Sequence, residues 1–216
     1  MVDQHIIDSY GLQEIDLSQA HILSKQPGEF LIREGEHLSC LYFVLSGKSK
    51  VLLSLSDGKR ILVAYFQSSG TIGDVELMEG ELTALASVQA VTTLTCLVLP
   101  LSYYHTILMN NLTFVQHVAR ELAVRLVKSN INGAITTLQP VETKLCAYIT
   151  QSAIDGVFQE NLTEVAEMIG SSYRHTLRTL EKLCSLYILQ KTEFGYVVLH
   201  EDELLKRGGD HYLLKK

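Results

Sequence analysis

From Gln26 to Pro100 the apolar positions come in short β-branched or alternating runs: Phe30–Ile32, Leu41–Leu45, Lys50–Leu55 and Arg60–Phe66. Gly28, Gly35, Gly47, Gly58, Gly70 and Gly73 separate them. Short strands with regular turn signals predict an antiparallel barrel or sandwich. Asp57-Gly58 is a strong hairpin-turn pair, and Ala84 to Leu99 supplies the last strands. The first 25 or so residues lack this rhythm and read as short helices and loops.

After Pro100 the period lengthens. Leu101 to Met109 reads as a short helix and Asn111 to Leu138 as one long helix. The first half of the long helix carries Val115, Val118, Leu122 and Leu126 on one face. Its second half carries Val124, Val127, Ile131, Ile135 and Leu138 on the other. One stripe can pack on the helix's own β-domain and the second on another subunit; a single core helix in a monomer is the alternative. Gln139-Pro140 then breaks the helix, because proline removes an amide donor and clashes with the preceding turn. This places a domain boundary between 138 and 139. Val141 to Ser152 resumes as a helix with Leu145, Cys146 and Ile149 inward.

Thr163 to Lys182 reads as two short helices joined at Gly170. In the second, Leu177, Leu180, Leu183 and Cys184 share one side, and Arg174, His175, Arg178, Glu181 and Lys182 the other. Val165, Ala166 and Ile169 form a matching stripe on the first. Two helices that bury each other's stripe while the second presents a mostly basic face describe a helix-turn-helix that enters the DNA major groove. An ordinary helical hairpin with a solvated face has the same pattern. Two short strands follow, Ile188–Lys191 and Tyr196–Leu199, joined through Thr-Glu-Phe-Gly195, and a hairpin in this place reads as a wing. The tail after Leu205 has paired glycines and reads as loose.

Charge changes this picture little. The 216 residues carry a formal net charge of −6. From Gln139 onward there are nine Lys and Arg against eleven Asp and Glu, a net of −2. A local basic face can act within such a protein, and its non-specific affinity for DNA should be modest and salt-sensitive. The N-terminus has no basic, apolar signal-peptide pattern, and no apolar run reaches membrane-spanning length. Cys40, Cys96, Cys146 and Cys184 are scattered without metal-site spacing, which fits reduced thiols in a cytoplasm and no metal or other cofactor. His105, His117 and Asp74 are available to an enzyme, but no nucleophile–base pair stands out.

The order of β-domain, long helix, proline break and winged motif resembles the Crp/Fnr family of bacterial transcription regulators. In the first domain the resemblance rests on Pro27-Gly28-Glu29, Glu34-Gly35, Leu41–Val44, Ser46-Gly47 and Ile72-Gly73-Asp74. In the second it rests on Leu162-Thr163, Val165-Ala166, Ile169-Gly170, Ser172, Arg178 and Leu183. It implies an α+β protein. Residues 1–138 would form an antiparallel β-roll, a double-stranded β-helix of the cyclic-nucleotide-binding kind, with a long dimerisation helix. Residues 139–216 would form a winged helix-turn-helix. It implies a cytoplasmic homodimer that binds two-fold-related promoter DNA and works with RNA polymerase. Ser172, Tyr173, Arg174, His175, Arg178 and Lys182 are then the candidate DNA-binding residues.

Departures from the family pattern narrow the function. Members commonly open the second helix with Arg-Glu followed by a second Arg four residues on; here Tyr173, Arg174 and Arg178 stand there, and only the last matches. The usual target sequence should therefore differ. Cyclic-nucleotide members carry Gly-Glu-Leu and then Arg-Ser. Here Gly73-Asp74-Val75 takes the first place and Ala84-Leu85 the second. Gly73, Asp74, Ala84 and Leu85 are the candidate ligand positions. They lack the guanidinium and hydroxyl that a cyclic phosphate needs, and Asp74, Glu76, Glu79 and Glu81 would repel it. A distant Arg120 or Arg125 pointing inward is the alternative source of charge. The expected function is a sequence-specific transcriptional regulator whose effector is not a cyclic nucleotide. The alternative is a β-roll sensor acting as a regulatory or protein-interaction subunit without specific DNA binding.

Overall fold

The computed structural model describes residues 4–54 and 60–209, without the side chains of His5, Ser54, Arg60–Phe66 and Lys128–Leu138. The chain forms two compact units, Met1–Val51 with Gln67–Lys128 and Leu52–Phe66 with Ser129–Lys216.

In the first part of the chain, α1 (Gln4–Ser9) precedes β1 (His21–Lys25), β2 (Phe30–Ile32), β3 (Cys40–Ser46), β4 (Ser49–Ser54), β5 (Arg60–Gln67) and β6 (Thr71–Ile72). The short α2 (Asp74–Glu79), β7 (Ser87–Ala90) and β8 (Leu94–Pro100) follow. The strands make two four-stranded sheets, ordered β1-β8-β3-β6 and β2-β7-β4-β5. This is a β-roll. Alternation decides which side chains fill it: along β3, Leu41 and Phe43 point inward and are fully buried, with Leu94, Cys96, Leu97 and Leu99 of β8 beside them. Then α3 (Leu101–Met109) and α4 (Leu112–Leu138) begin the helical region. Phe114 and Val118 of α4 join the roll's core, and Tyr10 meets Phe43 edge-on with ring centres 4.9 Å apart.

The pattern read residues 1–25 as helices and loops, yet β1 occupies His21–Lys25, paired along its whole length with β8. HILSK has no clean alternation, and its partner strand lies far away in sequence, from Lys25↔Leu94 to His21↔Val98. The elements β6 and α2, short and glycine-flanked, were also not expected. The Asp57-Gly58 turn lies outside the described residues.

In the second unit, Pro140 caps α5 (Val141–Ser152). After β9 (Val157–Phe158) come α6 (Leu162–Met168), α7 (Tyr173–Ser185), β10 (Leu189–Thr192), β11 (Gly195–Val198) and α8 (Glu201–Gly208). The three strands form one antiparallel sheet, β10-β11-β9. Leu145, Cys146, Tyr148 and Ile149 of α5, Val165 and Ala166 of α6, and Leu180 and Leu183 of α7 are buried together with Leu204 of α8. The tail after Leu205 was expected to be loose, but helix continues through Gly208; residues 210–216 lie outside the described residues. That glycine is where α8 touches α5: a Cβ on it would lie 2.5 Å from the backbone nitrogen of Ala147. The glycine that looked like disorder is a close-packing residue.

Candidate functional site

The first candidate region gathers at the start of α2. Gly73 precedes the helix with φ +91°, and a Cβ there would come within 2.9 Å of Leu38 Cδ2, so only glycine fits. Asp74 is 1% exposed. Its Oδ2 accepts from Thr71 Oγ1 at 2.8 Å and from Arg125 Nη2 at 2.6 Å, while Oδ1 accepts from Arg125 Nη1 at 3.2 Å. Arg125 also lies 3.5 Å from Glu121 one turn earlier on α4, and Glu121 accepts the Tyr10 hydroxyl at 2.7 Å. Burial works against the charge of Arg125, but Asp74 and then Glu121 hold its pKa above the ordinary value. Burial, and then the charge of Glu121, push the Tyr10 phenol far up. His117 completes the group: its ring sits 4.2 Å from that of Tyr10, and Nε2 is 3.7 Å from Glu121. The inward arginine is therefore Arg125, and its charge is spent on Asp74.

Ala84 and Leu85 differ from each other. Ala84 is buried, and its backbone is tied to the turn at 35–36 by bonds from Gly35 N and to Glu36 O. Leu85 is about half exposed, and its N–H donates at 2.9 Å to Oε1 of the buried Glu76. The repulsion expected from Asp74 is thus offset by Arg125, while Glu76 places its carboxylate on a main-chain donor of this loop. Among the described residues no group of three or more His, Cys, Asp or Glu could hold a metal ion.

The second candidate region is the outer face of α7. The α6–α7 turn passes through Gly170 at φ +63°, and Ser171 N bonds back to Ala166 O at 2.8 Å, satisfying the end of α6. Ser172 caps α7 by accepting from His175 N at 3.2 Å. Leu180 and Leu183 face inward, as do Thr176 and Thr179, which the apolar pattern did not reveal. Arg174, His175 and Arg178 are exposed, and their side chains have no partner among the described residues. Tyr173, placed by helical projection on the apolar side, is 50% exposed at the first turn. Lys182 is different: its Nζ lies 2.5 Å from Glu142 Oε2, and Arg207 Nη1 of α8 holds the other oxygen at 2.8 Å. Glu142 was not singled out from the sequence, because its partners lie 40 and 65 residues away. Beyond α7, β10 and β11 pair from Leu189↔Val198 to Thr192↔Gly195, with Phe194 exposed at the hairpin's tip.

The comparisons with known proteins agree with this architecture. The family model of the cyclic nucleotide-binding domain matches residues 22–111, the β-roll. The regulatory protein YeiL of Escherichia coli O157:H7 is 29% identical over 188 residues, covering 85% of this chain and 82% of that protein. The cAMP-activated global transcriptional regulator CRP of Pasteurella multocida is 27% identical over 179 residues, 77% of this chain and 84% of its own length. A solved structure from Eubacterium rectale, assigned to the crp/fnr family of transcriptional regulators, superposes with a TM-score of 0.72 at 12% identity over 95% of this chain and 94% of that one; at that identity it speaks for the fold. The chain carries a cyclic nucleotide-binding domain and is similar, over most of its length, to transcription regulators of the Crp/Fnr kind. Among the described residues no helix is long and apolar enough to cross a membrane.

Proposed function

We propose that this protein is a homodimeric, sequence-specific DNA-binding regulator whose effector is not a cyclic nucleotide. Residues 1–138 act as the sensor roll with its dimerisation helix, and residues 139–216 as a winged helix-turn-helix in which α6 supports α7 and the β10–β11 hairpin is the wing. The observation that carries the reading is the outer face of α7, where Arg174, His175 and Arg178 stand exposed, without side-chain partners among the described residues, on a capped helix. Cations without partners on the N-terminal half of such a helix are what the major groove requires. Ser172 positions the helix start, and Tyr173 reaches a thymine methyl or a phosphate.

Dimerisation is supported by Val124 and Val127 of α4, 52% and 57% exposed, an apolar cost that a second copy would remove. Ile131, Ile135 and Leu138 continue the stripe in sequence; their side chains lie outside the described residues. A two-fold dimer places its half-sites about 34 Å apart, one DNA turn. RNA polymerase is the further partner that a promoter-bound regulator of this family implies.

The reading that cyclic nucleotides are not the effector is supported by the bonds around Gly73, Asp74, Ala84 and Leu85. The Ala84 amide is committed to Glu36, the Leu85 amide to Glu76, and the guanidinium of Arg125 to Asp74. These three donors are already engaged when a cyclic phosphate arrives, and burying a phosphate without partners costs several kcal/mol on the order given by transfer data. The experiment for the proposed function is selection of duplexes from a random pool by the full chain. Recovery of a two-fold-related sequence is expected; enrichment of no sequence, with the chain folded, would overturn it.

A further inference from the structure

Three cations lie along the outer side of α7, and the structure treats them unequally. Arg174 and Arg178 are unpartnered among the described residues, whereas Lys182 is held by Glu142. We propose, resting on the reading of α7 as the DNA-facing helix, that Glu142 is a positioning residue for DNA recognition: it withholds Lys182 from the phosphates, so that binding depends on the base-reading end of α7.

Several observations converge on this. Lys182 lies eight residues beyond Arg174, about 12 Å along the helix axis at 1.5 Å per residue, in the last turn rather than the first. Recognition helices read bases with their N-terminal residues. Glu142 sits in the first turn of α5, where the helix N-terminus favours an anion. Its two oxygens are divided between Lys182 of α7 and Arg207 of α8, so one carboxylate ties three helices. Arg207 is steadied in turn by Glu203, 3.5 Å away. Lys182 and then Arg207, against the opposing effect of burial, hold the Glu142 carboxyl below its ordinary value, so it is ionised at neutral pH. A lysine already neutralised in the free protein releases no net counterions on binding DNA. Its removal from the phosphate contacts lowers sequence-independent affinity and leaves base reading to the arginines.

The test is the salt dependence of binding of the full chain to a fluorescein-labelled duplex of random sequence. In Glu142→Gln the freed Lys182 gains a phosphate, and the slope of log K against log salt steepens by about 0.9. Between about 50 and 200 mM salt the variant then loses roughly 3.5-fold more affinity than the wild type. Lys182→Met alone keeps the wild-type slope, and the double variant returns to it. A purely structural role for Glu142 would change the melting temperature but not this slope. A Lys182→Met slope flattened by about 0.9 would overturn the proposal, as would an unchanged slope in folded Glu142→Gln. If Glu142→Gln fails to fold, Lys182→Met decides alone. A wild-type chain that binds no duplex at any salt overturns the DNA reading itself, a separate outcome.

Discussion

Arg125 grips Asp74 through both terminal nitrogens, at 2.6 and 3.2 Å, across 51 residues of sequence. The pair ties the long helix α4 to the first residue of α2 inside the roll. Removing one partner of such a buried pair leaves an uncompensated charge, at a cost of about 3–5 kcal/mol. Arg125→Met should therefore lower the melting temperature by roughly 6 to 20 °C for a chain of this size, measured by circular dichroism. A melting temperature within a degree or two of the wild type would mean that water, not Arg125, compensates Asp74.

The same pair bears on the effector. With Arg125 committed to Asp74 and the Leu85 amide to Glu76, titration calorimetry with millimolar cyclic AMP or cyclic GMP should show no saturable heat. Micromolar affinity for either would contradict the assignment.

Gly208→Ala sets two effects against each other. Alanine gains about 1 kcal/mol of helix propensity over glycine. Its Cβ, however, would press on the nitrogen and Cα of Ala147 at 2.5 and 2.7 Å, and backbone cannot rotate away. Overpacking of this kind costs about 1–3 kcal/mol, so a net loss of stability is expected from denaturant melts. A stabilised variant would show that α8 does not pack on α5 this closely.

How much was visible beforehand depends on how local each cause is. The bounds of α3 and α5 follow from Pro100 and Pro140, which stand at their first-turn boundaries, and from apolar spacing within each helix. The division of α7 into Leu180 and Leu183 inside and Arg174, His175 and Arg178 outside is likewise a local periodicity. What escaped depended on distant partners. The strand β1 exists because β8 pairs with it, and α8 extends through a glycine because Ala147 needs the space. An inward Arg125 was one of the alternatives, but its pairing with Asp74 was not, nor was that of Lys182 with Glu142, because sequence spacing connects neither to its partner.

The cysteines give an independent check on packing. Burial pushes Cys96 and Cys146 up to about 12 and also raises Cys184, but Cys184, like Cys40, is only half-buried and within reach of a reagent. A maleimide at neutral pH should modify Cys40 and Cys184 in the native protein and reach Cys96 and Cys146 only after unfolding, as read by peptide mass spectrometry. Rapid native labelling of Cys96 would mean that the roll opens.

The proposed reading of DNA by α7 is probed most directly at Arg178. A bidentate arginine contributes about 1–3 kcal/mol of discrimination at one base pair, whereas a phosphate contact weakens all sequences alike. Selection from a random duplex pool, run in parallel with the wild type and Arg178→Ala, separates the two. The expected result is a two-fold-related motif for the wild type and the loss of preference at one base pair in each half-site for the variant. A variant that selects the wild-type motif with every position unchanged would contradict the base-reading role given to Arg178.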